Sequence, residues 1–109
     1  MTRVSFATQN GRPAAFTLKG HALSAEAGRD IVCAAVSSAV YMAANTITEI
    51  LGADAAVEVK DAYFRLVLPA DAPEGCDAVM RGLRLHLGEL ARQYPTHITI
   101  LEDEDHVTA

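Results

Sequence analysis

The chain has 109 residues, one domain's worth, with half of them apolar, 21% charged and a mean hydropathy of +0.15. Its formal charge of −5 and pI near 5.2 argue against direct phosphate-backbone binding, which needs clustered Lys and Arg, and suit a basic partner instead. No uninterrupted run of eighteen apolar residues implies a membrane span, and the alternating start Met1-Thr2-Arg3-Val4-Ser5-Phe6 reads as a strand, so a cytoplasmic protein is expected.

Residues 3–9 and 13–20 predict two strands joined by Asn10-Gly11, a pair that tolerates positive φ and signals a hairpin. Val4 and Phe6 share one face of the first strand, Phe16 and Leu18 one face of the second. A loop of small and polar residues follows from Gly20 to Arg29. Asp30 then reads as the N-cap of a helix running to about Leu51 and stopping at Gly52. Val32, Val36, Ala39, Ala43, Ile47 and Ile50 give that helix its apolar spacing. Residues 55–60 and 62–68 predict a second strand pair. A second helix over about 72–94 carries Cys76, Met80, Leu83, Leu87, Leu90 and Tyr94 on one stripe, with Pro73 near its start and Pro95 closing it. A last strand spans His97 to Leu101, and the acidic run Glu102-Asp103-Glu104-Asp105 reads as a solvated tail. The order ββαββαβ predicts a single two-layer α+β domain over residues 1–109, two helices packed on a mainly antiparallel sheet.

The chemistry is expected around Cys33. With Asp30 as N-cap, Cys33 stands at the third helical position, where unpartnered N–H groups and the helix dipole favour a thiolate. The Asp30 carboxylate opposes this, and a neighbouring imidazolium would compensate. His21, just after Gly20, is the histidine nearest in sequence; glycine there frees the backbone to turn and leaves room beside the ring. Ser37 lies one helical turn past Cys33, placed to donate to the thiolate, to His21 or to substrate, or to bond back to the Cys33 carbonyl. The loop containing Gly28 is either a closing segment or a plain connection. A helical cysteine is more often an inert small hydrophobe, so these residues alone leave the catalytic reading open.

The remaining candidates read as structural. Cys76 belongs to the apolar stripe of the second helix. His86 reads as solvated, His97 as a strand end and His106 as part of the tail, and no His-x-x-x-His spacing suggests a metal. Two cysteines without a Cys-x-x-Cys pair argue for reduced thiols. Tyr41, Met42, Tyr63 and Tyr94 suit a groove, a dimer contact or ordinary packing. The competing functions are a cysteine endopeptidase, a non-catalytic protein-binding module, and a redox-sensing thiol protein; the last would want a resolving cysteine, which a buried Cys76 does not supply.

The stretch Gly20-His21-Ala22, then Gly28, then Asp30-Ile31-Val32-Cys33-Ala34-Ala35-Val36-Ser37 resembles the bacterial ribosomal-processing cysteine protease family, Prp. Eleven residues separate His21 from Cys33, as in that family. The resemblance is firm over about residues 20–38 and architectural over the rest. It implies a cysteine nucleophile at Cys33, its histidine at His21, a supporting serine at Ser37 and the motif aspartate at Asp30, with Gly20 and Gly28 in the same motif. It further implies removal of an N-terminal extension from a large-subunit ribosomal protein of the L-twenty-seven family, a homodimer, and no metal or cofactor; the non-catalytic alternative is then a ribosome-assembly or protein-binding module.

Overall fold

The computed structural model describes residues 1–20 and 27–104. Strands β1 (Thr2–Gln9) and β2 (Arg12–Lys19) form the expected hairpin, and both turn residues have positive φ, Asn10 at 54° and Gly11 at 77°. Two left-handed residues in succession match the right-handed twist of the flanking strands. The pairing slips between Ala7 and Thr8, where a bulge inserts one extra residue.

Strands β3 (Ala56–Lys60) and β4 (Tyr63–Val67) form the second hairpin, and β4 pairs antiparallel with β2. Strand β5 (Ile98–Glu104) runs parallel to β1, giving the order β3-β4-β2-β1-β5. Three antiparallel pairings and one parallel pairing make a mixed, mainly antiparallel sheet.

Helix α1 (Ala27–Asn45) and helix α2 (Gly75–Gln93) cover one face of that sheet. The alternation in the strands decides which face. Val4, Phe6, Phe16, Phe64, Leu66 and Ile98 point towards the helices and are buried with Val32, Val36, Val40 and Ile47 of the first helical run and Cys76, Met80, Leu83 and Leu87 of α2. The Phe16 ring sits at the centre, stacked on Phe64 at 5.8 Å and tilted against Phe6 at 6.1 Å between centroids. On the opposite face, Thr17 is buried by its neighbours and accepts a 2.7 Å hydrogen bond from Arg65 Nη1.

The α+β class and the order ββαββαβ are as the sequence predicts; three boundaries differ. Helix α1 begins at Ala27, so Asp30 is its fourth residue and not its N-cap, and Gly28 lies in its first turn rather than in a loop. Ala27 and Arg29 are strong helix formers and extend the helix past the Asp30 signal. At its far end α1 continues as a π-helical segment, Thr46–Ile50, with the Leu51 N–H donating to the Thr46 carbonyl at 2.9 Å. The hydroxyls of Thr46 and Thr48 donate to the carbonyls of Met42 and Ala44, four residues back, and this competition for carbonyls accompanies the widened turn.

Helix α2 starts at Gly75, after the turns around Pro69–Glu74. Strand β5 runs on through Glu104, so the first three residues of the acidic run pair with Phe6, Ala7 and Thr8 of β1 and are not tail; Arg84 of α2 pairs with Glu102. Asp105 and His106 lie outside the described residues. The helical run Ile31–Ile50 has the length and apolarity of a membrane span, but its buried stripe is the core packed on the sheet just described.

Candidate active site

The site takes shape where β2 ends. Gly20 has φ +84°, and its N–H donates to the carbonyl of Ala62 at 2.9 Å, tying the end of β2 to the turn between β3 and β4. A Cβ on Gly20 would stand 2.6 Å from the Met1 carbonyl oxygen, so both the backbone conformation and the packing call for glycine. The next residue, His21, lies outside the described residues.

Beside Gly20 opens a groove of about 250 Å³. Its floor is Thr2, Leu18 and Gly20 of the sheet; one wall is Cys33, Val36, Ser37, Val40 and Tyr41 of α1; the other is the β3–β4 hairpin from Val59 to Phe64. The Tyr41 ring meets the Phe64 ring edge-on at 5.3 Å, joining the helical wall to the sheet. Lys60 and Asp61 bring both charge signs to the rim. Lys60 pairs with Glu58 at 3.1 Å and its ammonium lies 5.5 Å from the centre of the Tyr63 ring.

Cys33 is a free, half-buried thiol. Helical residues Ala27 to Val32 precede it in α1, so its own N–H falls within the intrahelical ladder. The expectation that Cys33 stands at the third helical position, among unpartnered first-turn N–H groups, is thereby overturned, since the helix dipole acts chiefly within the first turn. Ser37 is half-buried in the same wall, one turn along from Cys33. Among the described residues its hydroxyl makes no bond back to the Cys33 carbonyl, in contrast to Thr46 and Thr48.

Cys33, Ser37 and Gly20 line one groove. Of the tyrosines, Tyr41 and Tyr63 line it, Tyr94 packs on the core and Met42 is exposed. Cys76 is fully buried under α2, and desolvation pushes its thiol pKa upward, as fits an inert core residue. His86 is exposed, and His97 is half-buried at the start of β5 beside the Thr96 hydroxyl. Sequence reasoning missed the hairpin wall. Val59 to Ala62 carry no motif, and only the β2–β4 pairing brings them to Cys33.

A half-buried thiol in the wall of an open groove, with a serine one turn away and a glycine leading into a histidine, has the makings of a cysteine hydrolase site. Residues 1–99 match the family model described as cysteine protease Prp, and the chain belongs to that family. The chain is 26% identical over 91 residues to the ribosomal processing cysteine protease Prp of Bacillus subtilis, covering 78% of this chain and 81% of that protein. The crystal structure of SMU.848 from Streptococcus mutans superposes with a TM-score of 0.87 at 25% identity, covering 95% of each chain. The structure of the essential ribosomal processing protease Prp from S. aureus with a covalently linked product peptide has the same fold, with a TM-score of 0.84 at 20% identity over 94% of this chain and all of that one. The protein is a peptide hydrolase of the cysteine type, and the binding-module and redox-sensor readings give way to it.

Proposed function

We propose that Cys33 is the nucleophile and His21 the general base and acid of an endopeptidase that removes the N-terminal extension of a large-subunit ribosomal protein. The observation that carries this reading is the placement of Cys33 and Ser37 on one wall of the groove whose floor ends at Gly20, the residue before His21. His21 takes the thiol proton, and Cys33 Sγ attacks the scissile carbonyl, forming a C–S bond. The C–N bond breaks as His21 protonates the leaving amine. Water, deprotonated by His21, then hydrolyses the thioester and frees Sγ. Ser37 supplies a hydroxyl donor to the thiolate or to bound substrate. Asp30 and Gly28 shape the first turn of α1 ahead of the nucleophile. The residues named need no metal or cofactor for this chemistry.

The substrate class follows from the Bacillus subtilis relative, whose name describes ribosomal processing. A ribosomal protein substrate places the enzyme in the cytoplasm, and its basic character suits a chain of charge −5 without direct nucleic-acid binding by the protease. The homodimer implied by family resemblance is supported by the outer stripe of α1, where Ile31 and Met42 are exposed. The test is cleavage of the host's extended ribosomal protein, with products read by mass spectrometry. Cys33→Ala, Cys33→Ser and His21→Ala should each lose at least about a thousandfold in kcat/KM. Ser37→Ala should lose about tenfold, and Cys76→Ser should retain cleavage. Wild-type activity in the Cys33→Ala protein would refute the assignment.

A further inference from the structure

Among the described residues strand β3 lies at the edge of the sheet, and its outer side can be assigned residue by residue. The turn Asp61-Ala62 makes Lys60 and Tyr63 the hydrogen-bonded pair that closes the hairpin, and the pattern alternates from there, so Glu58 pairs with Arg65 and Ala56 with Val67. The far side of β4 confirms the parity. The Leu68 N–H donates to Ala14 and the Ala62 carbonyl accepts from Gly20, so even-numbered groups around β4 point to β2 and odd-numbered ones to β3. The N–H and C=O of Val57 and Val59 consequently point away from the sheet.

The side chains of these two residues are uncovered as well. Val57 and Val59 oppose the buried Leu66 and Phe64, so they share the helix-facing side of the sheet, yet they are 44% and 56% exposed. The helices stop short of β3. An open ladder carrying two apolar side chains is a template for another strand. The Glu58–Lys60 pair stands on the opposite face and leaves this template open. Val59 is also part of the groove wall opposite Cys33, so the open edge is continuous with the groove.

We propose that the substrate binds as a sixth strand, its backbone pairing with Val57 and Val59 along the outer edge of β3 while the scissile carbonyl sits at Cys33. This deepens, and rests on, the endopeptidase reading above. Main-chain pairing supplies affinity for any extended segment, and alternate substrate side chains lie over Val57, Val59 and Tyr41, where sequence preference is set. An extended terminal segment of a ribosomal protein can adopt this form, whereas a folded domain cannot thread the groove.

The test uses the full-length protein and a peptide spanning the junction of the extended ribosomal protein. Val59→Pro removes one outward donor and no bond to β4, and proline is tolerated at such edge positions. It should raise KM about tenfold, the effect of losing one hydrogen bond, with kcat within about twofold of wild type. The same peptide N-methylated at successive positions should show KM rising at alternate residues only, a measurement that needs no protein variant and stands if Val59→Pro fails to fold. An unchanged KM in a folded Val59→Pro protein, or N-methyl effects without alternation, would overturn the added strand while Cys33-dependent cleavage still supported the protease. A Val59→Pro protein that loses self-association at unchanged KM would assign the edge to a second copy and likewise overturn it. A wild type without Cys33-dependent cleavage would remove the endopeptidase reading and the strand with it.

Discussion

Gly20 acts on the site through its backbone. Its φ of +84° and the 2.6 Å approach of Met1 to its missing Cβ make it costly to replace, although no side chain is lost. Gly20→Ala should lower stability by about 1–3 kcal/mol, checked by a urea titration. The expected companion is a drop in kcat/KM for junction peptides, because His21 follows directly and inherits any displacement. Restoration of kcat/KM at low temperature, where the variant is fully folded, would show that Gly20 matters for stability alone. Cys76 provides a second residue-scale expectation. Burial raises its thiol pKa, so the folded state holds a proton that the unfolded chain, with a thiol pKa of about 8.5, gives up first. The contribution is complete below that value and falls as pH rises through it towards the folded pKa. Unfolding free energy should therefore decline above about pH 8.5, and Cys76→Ala should decline less steeply over the same range.

Periodicity is a good guide to elements and a poor one to their ends. The stripe Cys76, Met80, Leu83, Leu87 is read directly from the spacing and is buried as that spacing requires. Met80→Ala should cost about 2–5 kcal/mol, whereas Leu85→Ala, on the exposed side of the same helix, should fall within about 0.5 kcal/mol of wild type; thermal melts of the two would separate them. The start of α1 shows the other side. Asp30 carries a good capping side chain, but caps compete with the propensity of the residues before them, and Ala27 and Arg29 carry the helix past it. That shift moves Cys33 out of the first turn and removes a local explanation for a reactive thiol. Strand β5 is longer than its apolar residues Ile98 and Ile100 suggest, because backbone pairing with β1 holds Glu102 through Glu104 despite their charge. Cys33 and Ser37 were legible because both lie within one helical turn. The hairpin wall opposite them was not, since a 26-residue separation in sequence, from Cys33 to Val59, leaves no periodic trace.

At the scale of the molecule, the groove depends on segments from both ends of the described chain. The Thr2 N–H donates to the His97 carbonyl at 2.8 Å, β5 then pairs along β1, and the Met1 carbonyl presses on Gly20 at the groove floor. Vectorial synthesis gives this pairing a temporal meaning. While the chain is emerging from the ribosome, β1 to β4 precede β5, so they can assemble before the strand that fixes the start of β1 is available. The Thr2–His97 bond, and with it the seat of Met1 against Gly20, forms only after β5 has been made, so the groove floor closes later than the two hairpins around it.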